Sequence, residues 1–343
     1  MTLVLITSPW RNGLPEIRTD PIGGTRVVIA DDRADRPGAF EAPDPKRDLN
    51  PEADPFAEGN EHMTPPELWA DRPDGGSPDT PGWRVRVVPN LYPALSPRSD
   101  EPEPNADPDL FGAKAATGQH EVVINSPRPV QSLAALTAEE LALAVDAWQS
   151  RLAFHEGSAC RHLFVNEGLQ AGASLPHTHA QLVAMDFVPE RVAREREAFT
   201  AHASRTAGAN LLSDLLAAEV RGRDRIVHVD EESVLLAPWA STASWQLMLV
   251  PRNPEPDFAT ATSNCSAMLH TALKVLTAQF GNTPPLNLWV RNAPSGADHW
   301  CWRIDILPRL AQPAGIELGT GLHVNPVSPE RVATELKATL SSL

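Results

Sequence analysis

The sequence predicts an α+β fold, a mainly antiparallel sheet with helices packed on it. Three observations predict it. Short segments of alternating or continuous apolar residues are bounded by turn residues, as strands are. Longer segments between them carry apolar residues at helical spacing. The order strand–strand–helix–strand–strand occurs once in each half of the chain, which suits a meander with one helix on one sheet face rather than a parallel sheet.

Residues 83–89 (WRVRVVP) alternate apolar and polar side chains and stop at a proline, so they predict a strand. Residues 120–125 (HEVVIN) predict the next. Residues 137–155 predict a helix: Thr137 is placed as N-cap and Glu140 three positions on completes a capping box. Residues 162–166 and 177–185 predict two further strands, joined by a glycine-rich turn. Residues 189–220 predict a helix in two pieces, broken near Gly208. The second half repeats the plan: strands over 233–237 and 245–251, a helix over 263–280, strands over 286–292 and 300–307. Residues 31–82 and 96–108 are rich in proline and acidic residues and predict largely irregular chain.

Lys plus Arg total 29 and Asp plus Glu total 44 in 343 residues, a net charge of −15. An acidic surface repels a phosphate backbone, so nucleic acid is not expected as the main partner, although a small nucleotide site is compatible. Cys160, Cys265 and Cys301 are widely spaced and form no C-x-x-C, which supports neither a disulfide framework nor a cysteine zinc site. No apolar run is long enough to span a membrane, and residues 1–7 lack a basic leader, so a cytoplasmic protein is expected.

The chemistry concentrates in one segment. Asn166-Glu167-Gly168 is followed by Gly172-Ala173-Ser174 and then by His177-Thr178-His179-Ala180-Gln181. On a strand, His177, His179 and Gln181 share one face. Gly172 permits close backbone approach to a ligand, Ser174 adds a hydroxyl, and amides near such a turn can hold a phosphate. The plain alternative is a solvated strand face with two surface histidines. A second alternative is a metal pair, since His at i and i+2 can ligate zinc, but no carboxylate or thiolate lies within the segment to complete it.

This string resembles the active-site region of the galactose-1-phosphate uridylyltransferase family, in the histidine-triad superfamily. The resemblance extends over nearly the whole chain. It runs through Pro15-Glu16-Ile17-Arg18-Thr19-Asp20-Pro21, Asp31-Asp32-Arg33-Ala34-Asp35-Arg36-Pro37 and Gly59-Asn60-Glu61-His62-Met63-Thr64-Pro65-Pro66-Glu67. It continues through Val87-Val88-Pro89-Asn90, Gly118-Gln119-His120-Glu121-Val122, Ile306-Leu307-Pro308-Arg309-Leu310 and Ala314-Gly315-Ile316-Glu317. The resemblance implies two histidine-triad-like halves, 1–190 with the nucleophile and 191–343 with a degenerate site, forming one extended sheet. It implies a homodimer and a two-step reaction. His179 would attack the α-phosphorus of a nucleotide sugar, release a sugar 1-phosphate and pass the nucleotide to a second sugar 1-phosphate. Gln181 would bond a phosphate oxygen without delivering a proton, which points to transfer rather than hydrolysis. His177 and Ser174 would complete the catalytic set. Asn166, Gly172 and Ala173 would line the phosphates, Arg33, Arg36 and Asn90 the nucleotide, and Glu317 the sugar hydroxyls. Surface charge is the plain alternative for the two arginines and for Glu317.

The chain departs from the family most at its metals. Where the pattern has a zinc-binding C-x-x-C, this sequence reads Asp54-Pro55-Phe56-Ala57; only Asp54, His120 and His177 are residual ligand candidates. No cofactor is expected, and zinc would lack its cysteine ligands. For a second family metal, Glu195 matches the carboxylate, while the histidine positions read Arg291, Cys301 and Arg303, so an ion pair is expected instead. Thr178 replaces the usual proline between the histidines, and Leu91 stands where an acidic residue often helps bind the nucleotide. The default expectation is UDP-glucose with galactose 1-phosphate. One alternative is a phosphorylase of a nucleotide sugar or a dinucleoside polyphosphate. Another is an inactive nucleotide-binding homologue.

Overall fold

The computed structural model describes residues 14–31, 33, 49–97 and 110–343. Arg36 and most of the segment 96–108 lie outside the described residues.

Among the described residues a ten-stranded sheet forms the centre of the molecule. Its first-half strands are β3 (Trp69–Asp71), β4 (Val85–Pro89), β5 (Gly118–Ile124), β6 (Cys160–Glu167) and β7 (His179–Met185). Its second-half strands are β8 (Ile226–Val229), β9 (Ser233–Leu236), β10 (Leu247–Pro251), β11 (Leu286–Arg291) and β12 (Arg303–Pro308). The order is β3-β4-β5-β7-β6-β11-β12-β10-β9-β8, with every pair antiparallel. β6 and β11 meet at the middle, and outward from that seam each half follows the same sequence of strands. A small second sheet joins the hairpin β1 (Glu16–Thr19) and β2 (Arg26–Ile29) to β13 (His323–Asn325), which runs parallel to β2.

The helices are α1 (Ala138–Phe154), α2 (Glu190–Arg205), α3 (Leu211–Gly222), α4 (Ser266–Phe280), α5 (Gly315–Thr320) and α6 (Pro329–Leu340). The capping box at the start of α1 is formed: Glu140 N–H donates to Thr137 Oγ1 at 3.1 Å, and Thr137 N–H donates to the Glu140 carboxylate at 2.8 Å. Gly281, left-handed at φ 71°, ends α4 as a glycine C-cap does. No helix among the described residues is long and apolar enough to cross a membrane.

The main core lies between one sheet face and α1, α4 and α6, with Leu163, Val165, Ala180, Leu182, Leu288 and Ile306 facing Trp148, Leu273 and Leu336. The alternate residues of β9 and β10, Val234, Leu236, Met248 and Val250, form a second core with Val192 and Phe199 of α2 and Leu212 of α3. The expectation of helices on one face is therefore corrected. Strands β9 and β10 are apolar on both faces and need cover on both.

Several details also differ. β7 begins at His179, not at 177, because Pro176 cannot donate to a ladder and the Thr178 N–H donates instead to the Val130 carbonyl at 2.8 Å. β12 begins at Arg303; Trp300, Cys301 and Trp302 precede it as non-strand chain. Residues 31–82 hold β3 and a 3-10 turn at Glu61–Met63.

Candidate active site

β7 lies between β5 and β6, so its backbone is fixed on both sides. Ala180 and Leu182 point into the main core, which turns His179 and Gln181 to the opposite face. His179 is 5 % exposed, which removes the reading of two surface histidines. Its Nδ1 lies 2.8 Å from the His177 carbonyl oxygen. A carbonyl only accepts, so Nδ1 carries the hydrogen and Nε2 keeps the lone pair. Burial, the largest influence, lowers the His179 pKa, while the bond to the His177 carbonyl works against it. The ring is thereby held neutral and nucleophilic at neutral pH.

His177 sits just before the strand, 1 % exposed. Its Nε2–H donates to the Ser126 carbonyl at 2.8 Å, and its Nδ1 lies 2.7 Å from Asp54 Oδ2. The Phe56 ring stands edge-on to both histidines, 6.2 Å from His177 and 5.1 Å from His179. Thr178 turns the other way: its hydroxyl donates to Glu167 at 2.8 Å and accepts from Asn125 at 3.3 Å. Glu167 also accepts from the Ser132 hydroxyl and the Leu133 N–H, both at 2.6 Å. Burial holds its carboxyl above the usual range, opposed by those three bonds. The row thus rests on a buried hydrogen-bonded layer, and Glu167 and Asn125 belong to it although no sequence motif singles them out for that role.

Gln181 lies farther along β7 beside His120 and Asn90. Its Oε1 is 3.0 Å from His120 Nε2 and 3.4 Å from Asn90 Nδ2. The turn before β7 has Gly168 at φ 84° and Gly172 at φ 85°, the left-handed side that favours glycine. Ala173 N–H donates to the Gly168 carbonyl at 3.0 Å and closes the turn, while Ser174 is exposed on it. Asn166 Oδ1 accepts from Asn287 Nδ2 at 2.8 Å, and the same Asn287 amide donates to the Ala171 carbonyl at 2.8 Å. A residue of the second half therefore pins the turn of the first.

Other expected residues lie apart. Arg33 is exposed, with its N–H on the Ala30 carbonyl at 2.9 Å. Glu317 accepts the Ala314 N–H at 2.9 Å and caps its own helix, α5. Among the described residues no hydrogen bond or ion pair joins either to His179. Gln312 does reach from the loop before α5 to the Gln170 carbonyl at 3.3 Å.

The residual zinc candidates do not assemble. Ile124, not His120, pairs with His179, so His120 stands four residues away, about 13 Å along the strand. Both ring nitrogens of His177 are engaged, and the Ala57 methyl cannot ligate. The residues present do not fit a closed four-ligand zinc site. Among the described residues no group of three or more His, Cys, Asp or Glu is arranged to hold a metal.

At the second metal position Glu195 lies 2.9 Å from Arg303 and 3.6 Å from Arg291, and Asp305 lies 3.3 Å and 3.7 Å from the same two arginines. Burial works to raise the Glu195 pKa, but Arg303 and Arg291 outweigh it and lower it. Cys301 takes no part in these ion pairs: it packs with Phe199 and Trp300, and its thiol donates to the Trp302 carbonyl at 3.6 Å. His162 lies beside the cluster, where burial first and the Arg291 charge second push its imidazole down to about 4.

A family model for the N-terminal domain of galactose-1-phosphate uridyl transferase matches residues 7–189. A second, for a domain of unknown function (DUF4921), matches residues 135–343. The ADP-glucose phosphorylase of Arabidopsis thaliana is 29 % identical over 343 residues, spanning 95 % of this chain and 93 % of that one. The galactose-1-phosphate uridylyltransferase of Haemophilus influenzae is 28 % identical over 347 residues, 94 % of each. The crystal structure of the Arabidopsis ADP-glucose phosphorylase with bound ADP-glucose matches with a TM-score of 0.77 at 26 % identity, covering 94 % of this chain and 98 % of that one. With one family model over more than half of its 343 residues and this likeness along its length, the chain belongs to the galactose-1-phosphate uridylyltransferase family.

Proposed function

We propose that the protein moves a nucleoside monophosphate from a nucleotide sugar to a phosphate acceptor through a covalent nucleotidyl-His179. The observation that carries this reading is the 2.8 Å bond from Nδ1–H to the His177 carbonyl, which leaves the Nε2 lone pair as the nucleophile. That lone pair attacks the α-phosphorus, the bond to the bridging oxygen breaks, and sugar 1-phosphate leaves with the electron pair. An acceptor phosphate oxygen then attacks the same phosphorus, the N–P bond breaks, and Nε2 recovers its lone pair. The Gln181 amide donates to a phosphoryl oxygen in both steps and supplies no base for water. The glycine-rich turn with Gly172, Ala173 and Ser174 holds the phosphates, with Asn166 beside it. Arg33 and Arg36 with Asn90 serve the nucleotide, and Glu317 serves the sugar.

Sugar 1-phosphate as acceptor gives the uridylyltransferase-type reaction, by default between UDP-glucose and galactose 1-phosphate. Inorganic phosphate as acceptor gives phosphorolysis, and the likeness to ADP-glucose phosphorylase over 95 % of the chain favours that second reading. Neither needs a bound metal. The proposal includes a cytoplasmic homodimer, each chain of which has two halves, residues 1–190 and 191–343. Purified protein given UDP-glucose or ADP-glucose with phosphate, galactose 1-phosphate or both separates the acceptors. Turnover with no acceptor other than water contradicts the role given to Gln181.

A further inference from the structure

We infer that His120 is a positioning residue that fixes the orientation of the Gln181 amide, so that its NH2 end faces the transferred phosphoryl group. The inference rests on the proposed reaction at His179 and adds a residue to it. On the paired strands His120 faces Val183 and Val122 faces Gln181, so His120 and Gln181 are diagonal neighbours on one sheet face. The Ala94 backbone N–H donates to His120 Nδ1 at 3.0 Å. A backbone N–H has no alternative orientation, so Nδ1 accepts and the neutral ring carries its hydrogen on Nε2. That N–H lies 3.0 Å from Gln181 Oε1 and donates to it.

Asn90 is fixed in the same way. Its Oδ1 accepts the Tyr92 N–H at 2.9 Å, so its other end is the NH2, 3.4 Å from the same Gln181 oxygen. Asn90 Nδ2 and His120 Nε2 are 3.1 Å apart as two donors sharing one acceptor. A flipped Gln181 would set its own NH2 against both. The carbonyl end is therefore held inward, and the NH2 end is left to donate to a phosphoryl oxygen. Burial, which outweighs the Gln181 bond, keeps His120 below its ordinary pKa, in the neutral form that this arrangement needs.

The test has two arms. In protein labelled with 15N at histidine, NMR is expected to find His120 as the Nε2–H tautomer; the Nδ1–H tautomer overturns the inference. In single-turnover labelling with nucleotide sugar, His120→Phe is expected to slow adduct formation about tenfold to hundredfold, the range for an unmade buried hydrogen bond. His120→Gln, which retains an N–H donor near the Nε2 position, is expected to recover most of that rate. In a Gln181→Ala background His120→Phe is expected to have no further effect, as for residues acting in series. Equal losses in His120→Phe and His120→Gln, or effects that multiply with Gln181→Ala, overturn the inference while leaving the His179 reading intact. Wild-type protein without any adduct overturns both.

Discussion

The imidazole of His179 needs one nitrogen free and the ring neutral, and its surroundings supply both through a backbone carbonyl and burial. Its neighbour His177 is held differently, between a carboxylate and a carbonyl. Asp54→Ala would leave a fully buried Nδ1 without that partner, at a cost of about 1–3 kcal/mol in unfolding free energy by urea titration. An unchanged midpoint would mean that Asp54 does not hold the row. The shared face of His179 and Gln181 was legible because i/i+2 spacing on a strand is local, while His177 proved to sit just before that strand. The partner of Gln181 was not, since His120 reaches it only through the pairing of β5 with β7, a contact between residues 61 apart in sequence.

At the scale of elements, the longer strands and helices could be read from periodicity, and α1 from its capping box. Of the three- and four-residue strands, β9 was read within residues 233–237, whereas β1, β2, β3, β8 and β13 were not, because so few residues carry little period. The join between α2, β11 and β12 is made by Glu195, Arg291, Arg303 and Asp305, all buried. Glu195→Ala would leave two buried guanidinium groups facing one carboxylate and is expected to cost about 3–5 kcal/mol by chemical denaturation. Dialysis against a chelator is expected to leave the wild-type Tm unchanged; a fall would show a bound metal at work.

His162, facing Arg291 and Glu195 in the same join, has a pH signature. Its folded pKa of about 4 lies below the ordinary 6.5. Between those values the unfolded chain takes up a proton that the folded chain does not, so stability falls as pH drops through that window. His162→Gln should therefore flatten the decline of Tm between pH 6.5 and about 4. An identical decline in the variant would assign the acid sensitivity to other groups.

The whole molecule is organised around the seam of β6 and β11, from which each half repeats the same strand order outward. That repetition was visible as a pattern of elements, and the antiparallel sheet followed from it. The second helical layer was not visible, because covering both faces of β9 and β10 depends on where α2 and α3 return in space. The seam also carries the coupling between halves, where Asn287 of β11 holds both Asn166 and the turn before His179. All of this geometry converges on one atom, His179 Nε2. The most direct test is intact-protein mass spectrometry of wild type and His179→Ala after incubation with UDP-glucose and ADP-glucose, with peptide mapping of any adduct. The account predicts a mass increase of one nucleoside monophosphate on wild type, mapped to His179, discharged by phosphate or sugar 1-phosphate and absent from the variant. An adduct on another residue, or turnover that survives in His179→Ala, would contradict it.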